Sequence, residues 1–141
     1  MKLNASTNIV SQVSINNIDI GQNGITVYHN IANANEKYFK LVASTYKEGK
    51  PDNTNYELYN QSNSEAISCT LPWKDLKKEA DSMVVTLYHI QKEYYDYMQS
   101  IRNSTSAYRD PFLTPEVIKS NIKGGLGIFT YYTFDKRRIY F

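Results

Sequence analysis

Met83-Val84-Val85-Thr86-Leu87-Tyr88, followed after His89-Ile90-Gln91 by Lys92-Glu93-Tyr94-Tyr95-Asp96-Tyr97-Met98, is the stretch on which the fold turns. The first run is dense in β-branched and aromatic residues, which suit a pleated surface, and it is predicted to be the strongest strand and central in its sheet. In the second, Tyr94, Tyr97, Met98 and Ile101 recur at i, i+3, i+4 and i+7. One helix is therefore predicted from about Lys92 to Asn103, with that stripe packed on the sheet and more buried than Lys92, Asp96 and Gln99. Amphipathic packing accounts for every position of the stripe, and Glu93 with Asp96 reads as a solvated acidic pair on the opposite face.

Upstream, Val13, Ile15, Ile18 and Ile20 recur mostly at two-residue intervals among Asn, Ser and Gln, the pattern of a strand with solvent on one side. Gly21-Gln22-Asn23-Gly24 turns the chain into a second strand at Ile25-Thr26-Val27-Tyr28; Asn30 to Asn35 is a polar reversal, and Tyr38 to Tyr46 is a third strand, the set reading as a hairpin. Gly49 to Asn55 is a turn cluster, and the polar stretch to Glu65 is at most a loop or an edge segment. Ile67 to Leu71 is a short strand ended by Pro72-Trp73, and Lys74 to Ala80 is a single helical turn. Beyond the main helix, Ser104 to Asp110 reads as a polar exit loop. Many strands with one late helix predict a mainly β domain of the α+β class: an antiparallel β-sandwich or small barrel packed by an amphipathic helix.

A length of 141 residues suits one domain, which buries enough surface to fold without staples. The single cysteine, Cys69, has no partner in the chain and reads as a buried thiol. Sixteen basic against fourteen acidic residues give a net charge of +2, far from the basic stripe that nucleic acid demands. The densest basic groups, Lys74, Lys77, Lys78 and Lys136, Arg137, Arg138, are interleaved with acids and read as solvated turns. No run approaches the roughly 20 apolar residues of a membrane span. Met1 to Ser6 lacks the apolar core of a secretory signal, which leaves a cytosolic protein or an excised piece of a longer one. Tyrosine supplies thirteen of nineteen aromatics, and its broad amphipathic ring favours half-buried strand faces that stack on sugars or pack on protein.

The tail reads as a turn at Asp110-Pro111-Phe112, an alternating strand from Val117 to Ile122, a glycine pivot at Gly124 and Gly125, and a last strand beginning near Gly127. The pivot predicts positive φ or a close backbone approach at one of the two glycines. In this order, Val85 to Tyr88, Glu93 to Tyr97, Asp110-Pro111-Phe112, Pro115 and Ser120-Asn121-Ile122-Lys123-Gly124-Gly125-Leu126-Gly127-Ile128-Phe129 resemble the carboxy-terminal half of the lipoprotein family called domain of unknown function 4249. Its structural motif maps onto Asp110, Pro111, Asn121, Gly124, Gly125, Gly127 and Phe129. Tyr38 to Leu41 is similar to the family's paired-aromatic strand.

The resemblance implies a secreted lipoprotein of a Gram-negative envelope, anchored to the outer membrane by a lipid outside this chain and lying on its periplasmic or surface side. It also implies an immunoglobulin-like domain ahead of this one and a gene neighbour encoding a TonB-dependent outer-membrane receptor. The chain at 1–141 is then the carboxy-terminal part of a larger protein, and its function that of a non-enzymatic accessory or binding domain in nutrient capture. The competing expectations are an adhesion or assembly module working through sheet edges or loops and, more remotely, a hydrolase. Two departures stand out. Gln91 takes the slot where the family has a capping serine, weakening the cap by up to about 1 kcal/mol. Thr130-Tyr131-Tyr132 adds aromatic bulk after the glycine run.

No catalytic motif accompanies this pattern. Gly124 to Gly127 lacks the lysine and hydroxyl of a phosphate loop and opens a strand where such a loop opens a helix. His29 and His89 lie on different strands without a cysteine or carboxylate at ligand spacing, and both read as surface or boundary histidines. No Gly-x-Ser-x-Gly elbow occurs. No cofactor, metal or nucleic-acid partner is expected, and the ligand is open.

Overall fold

The computed structural model of the chain describes residues 4–5, 10–30, 37–61, 67–72, 80–109, 122–123 and 132–141. Nine strands and one helix are found in this part: β1 (Asn4–Ala5), β2 (Ile15–Ile20), β3 (Gly24–His29), β4 (Tyr38–Lys47), β5 (Lys50–Asn60), β6 (Ser68–Pro72), β7 (Ser82–Ile90), α1 (Lys92–Arg109), β8 (Ile122–Lys123) and β9 (Thr133–Tyr140). The chain divides into two units, one of residues 11–89 and 133–141, the other of 1–10 and 90–132.

In the first unit, β2-β3-β6 form one sheet and β5-β4-β7-β9 the other, both open. The inward residues of the two sheets share one core: Ile25, Val27, Cys69 and Leu71 from the first meet Phe39, Leu41, Val85 and Leu87 from the second. The result is a β-sandwich, and the barrel alternative is set aside. As predicted, β7 is central, between β4 and β9. Lettered along the chain, the strands run A-B-E in one sheet and C′-C-F-G in the other, the order of small immunoglobulin-like sandwiches. The resemblance placed such a domain ahead of this chain; this chain has a sandwich of that order itself.

Several strand limits differ from the sequence reading. β2 and β3 pair as a hairpin, but β4 belongs to the opposite sheet, so the reversal after His29 crosses between sheets. A register shift between Ile15 and Asn17 reconciles the three-residue spacing of Ile15 and Ile18 with a single inward face. The turn cluster shrinks to Glu48-Gly49, both at positive φ (51° and 76°), as a two-residue hairpin turn with the twist of its strands requires. Pro51 already lies in β5, an eleven-residue edge strand whose first half is exposed and polar. A missing N–H and polar side chains blunt that edge.

The two flanks of the sandwich are laced by side chains that reach backbone groups of the other sheet. On one flank Asp135 accepts from Ile15 N–H at 2.8 Å while Arg137 donates to Ile15 C=O at 3.1 Å, a pair that imitates a neighbouring strand. Thr133 Oγ1 accepts from Val13 N–H and donates to Ser11 C=O. On the other flank Tyr59 Oη donates to Thr70 C=O and Gln61 Nε2 to Ser68 C=O. Lys136, Arg137 and Arg138 are thus strand residues of β9 and not a solvated turn.

Gly24 is required by packing. A Cβ there would lie 2.4 Å from the carbonyl oxygen of Leu71 on the paired strand β6, and a backbone atom held in a ladder cannot retreat. Gly24→Ala is expected to lower the unfolding free energy by about 1–3 kcal/mol, as overpacking of a closed interior does. Paired urea melts check it; an unchanged midpoint would contradict the close approach.

In the second unit, β1 pairs with β8 through Asn4↔Lys123 and Ala5↔Ile122. Helix α1 begins where predicted, with Gln91 C=O accepting from Tyr95 N–H. It runs six residues past Asn103, correcting the predicted exit loop over 104–109. Ser, Thr and Ala are tolerated in a helix, whereas the residue before a proline resists α geometry, so Arg109 is the last helical residue before Asp110-Pro111. The stripe is less one-sided than its period suggested. Tyr94, Tyr97, Met98 and Ile101 are half-buried, but so are Asp96 and Gln99. Asp96 lies against Lys92 at 2.6 Å and Gln99 donates to Tyr95 Oη, which folds both polar chains along the helix surface. Among the helix residues whose burial is described, Ser100 is the fully buried one, and its Oγ donates to Tyr97 C=O and so loses no hydrogen bond on leaving water.

Candidate functional site

The outer faces of the two sheets differ in chemistry. On the three-stranded sheet the outward positions of β3 and β6 hold Thr26, Tyr28, Ser68 and Thr70, with the two threonine hydroxyls 3.2 Å apart. On the four-stranded sheet the outward phase of β4 runs Lys40, Val42, Ser44, Tyr46. Register places Tyr56 across from Val42, Arg138 across from Val84, and Phe134 across from Tyr88. Aromatic side chains therefore recur at outward positions of all four strands, and Tyr88 and Phe134 are tilted together with ring centroids 5.9 Å apart.

Two of these rings carry cations. The Arg138 guanidinium stands 5.0 Å from the Tyr46 ring centroid and Lys40 Nζ stands 5.1 Å from that of Tyr56. Arg138 is also held by its hydrogen bond to Ser82 Oγ. Such stacking fixes a long side chain while leaving its charge presentable. Near the strand ends that carry His29 and His89, Tyr38, Leu58 and Thr86 of the same face are buried. The accessible part lies toward the Glu48-Gly49 turn, where Tyr140 is 76% exposed.

At the opposite strand ends the sheets enclose a polar layer that sequence reading missed. His29 and His89, read as surface or boundary residues, are 2% and 1% exposed. They flank the buried ring of Phe39, whose centroid is 4.4 Å from His29 and 5.1 Å from His89. Each Nδ1 faces a carbonyl oxygen, that of Asn30 at 2.7 Å and that of Ser11 at 2.8 Å. Gln61 lies beside His29, yet among the described residues no group completes a hydrogen bond to His29 Nε2 or to Gln61 Oε1. Burial, reinforced by Lys37 and His89, holds the His29 pKa below its usual value; the Asn30 carbonyl and Gln61 amide oppose this without overcoming it. The ring is therefore neutral at pH 7. In the tautomer that carries its proton on Nδ1, the ring donates to Asn30 C=O.

The sequence did hold a signal for this layer. Ile25, Val27, His29 and Val85, Leu87, His89 each continue an inward phase of period two, which predicts burial of the histidines. Cys69 is 1% exposed, and burial pushes its thiol up to about 12, so at neutral pH it is protonated and a poor nucleophile, as a core thiol should be. Among the described residues no three metal-ligating side chains gather. Asp110, Pro111, Asn121, Gly124, Gly125, Gly127 and Phe129 lie outside the described residues, as does the predicted pivot.

A family model described as domain of unknown function, DUF4249, matches residues 2–138. The chain belongs to this family. The match takes in the whole sandwich up to β9, well beyond the last sixty residues that carried the resemblance in sequence. No curated protein and no solved structure matches the chain. From β2 to β9 this chain therefore contains an immunoglobulin-like order of strands, with α1 falling in sequence between β7 and β9.

Proposed function

We propose that this DUF4249 chain is a non-enzymatic binding domain that meets another envelope protein through the outer face of its four-stranded sheet. The observation that carries the reading is the contrast between the two outer faces. One holds short hydroxyls beside a single tyrosine, Tyr28; the other holds aromatic rings on all four strands, two of them, Tyr46 and Tyr56, with cations stacked on them. An aromatic sheet face fits a protein surface, where broad rings of low conformational entropy supply contact area. In this the mode of contact is that of an assembly module.

The partner comes from the family setting: a lipid-anchored protein of the outer membrane working beside a TonB-dependent receptor in nutrient capture. The neutral, carbonyl-bound His29 and the protonated Cys69 thiol are poor starting points for hydrolysis, which supports a binding role over a catalytic one. The test is affinity capture of the full-length lipoprotein from envelope extract, wild type against Tyr46→Ser and Tyr140→Ser. Recovery of one TonB-dependent receptor with the wild type, reduced at least about tenfold in the variants at unchanged thermal midpoint, is expected. Equal recovery by all three proteins would refute a role for this face.

A further inference from the structure

At the register-paired outward positions of the four-stranded sheet the charge is of one sign, while the exposed acids Glu48 and Asp81 lie at its turn end. Lys40, Lys136 and Arg138 occupy outward register positions on β4 and β9, and no outward position on the four strands from Tyr38 to Tyr140 holds Asp or Glu. The nearest acid of β5, Asp52, lies at the register shift opposite Thr45 and Tyr46. The opposite sheet carries Asp19 at an outward position of β2, across from Thr26. With a net charge of only +2 over the chain, this segregation is local.

Resting on the binding role just proposed, we infer that the occupant of this face is an acidic segment of a partner protein, with carboxylates set between aromatic or apolar side chains. Arg138 offers the planar fork that takes a carboxylate in two hydrogen bonds, and it is already ordered by Tyr46 and Ser82, so little side-chain freedom is lost on binding. The exposed Lys136 supplies a point charge beside it. The exposed rings of Phe134 and Tyr140 on β9 receive the apolar side chains between the carboxylates. An anionic membrane is the weaker fit. Lipid-reading surfaces gather about 4–8 Lys or Arg, whereas three occupy the outward strand positions here.

The experiment uses the full chain, isotope-labelled, in NMR titrations with three probes. These are a short synthetic peptide of alternating glutamate and tyrosine, the same peptide with glutamine for glutamate, and phosphatidylglycerol vesicles. The acidic peptide is expected to shift the amides of Tyr46, Val84 and Arg138 while leaving Thr26 and Thr70 unmoved. The glutamine peptide is expected to bind about tenfold more weakly, and raised salt to erase most of the difference. Arg138→Gln and Lys136→Gln should each weaken the acidic peptide several-fold at an unchanged urea midpoint, Lys136 serving where loss of the Tyr46 stack disturbs folding. Equal binding of both peptides would overturn the acidic partner while leaving the face a binding surface. Shifts confined to Thr26 and Thr70, no shifts at all, or a response to vesicles alone would also overturn it, the last in favour of lipid.

Discussion

Phe39→Ala is expected to lower the unfolding free energy of the chain by about 3–5 kcal/mol, the range of a buried phenylalanine truncated in a well-packed core. Phe39 is 0% exposed, belongs to the central cluster, and is the ring that both buried imidazoles face. Removing it takes away more than apolar burial. His29 and His89 lose their shared packing surface, and His29 Nε2, which has no hydrogen-bond partner among the described residues, borders a void. Phe39→Leu keeps the apolar volume better and is expected to cost less. Urea melts monitored by fluorescence decide the point; a loss below about 1 kcal/mol would mean that the two sheets do not close on this ring.

The second large effect is a fall in stability toward acid, centred on His29. Because burial holds its folded pKa below the ordinary value of about 6.5, the unfolded chain binds the proton more readily than the folded one. Stability therefore rises with pH over this window: it is full above about 6.5 and is lost as pH falls from there toward the folded value. The slope approaches about 1.4 kcal/mol per pH unit for one proton. Urea midpoints measured from pH 7.5 to pH 5 should show that decline, and His29→Leu should flatten it. A midpoint that climbs on acidification would show that the proton is welcomed, with Nε2–H donating to the Gln61 amide oxygen strongly enough to outweigh burial.

Sequence periodicity carried most of the sandwich because each core strand exposes one face and buries the other. Met83 to Tyr88 announced the central strand by composition alone, and the alternation of Tyr38 to Tyr46 placed Lys40 and Tyr46 on one face and Phe39 and Leu41 on the other. What it could not supply is pairing between strands far apart in sequence. Nothing local tells that β4 leaves the sheet of β3, or that Asp135 and Arg137 serve the backbone of Ile15. The buried histidines show the same limit from another side. Their phase was legible, but polar character argued for the surface, and only the convergence of β3, β4 and β7 on Phe39 makes their burial intelligible. For α1, period gave the stripe but not its neighbours, so the position most removed from water proved to be a serine.

The binding face was half legible. Tyrosine enrichment pointed to wet, half-buried strand faces, whereas the placing of Arg138 on Tyr46 depends on a register between β7 and β9 that no local pattern encodes. Its role is tested most directly by a photocrosslinking amino acid placed in turn at Tyr46 and Tyr140 on this face, and at Thr26 and Thr70 on the other, in the full-length protein in intact cells. Crosslinks from the first pair to a single envelope protein, with none from the second pair, are the result predicted here. Crosslinks from Thr26 and Thr70 instead, or the same pattern from all four positions, would contradict it.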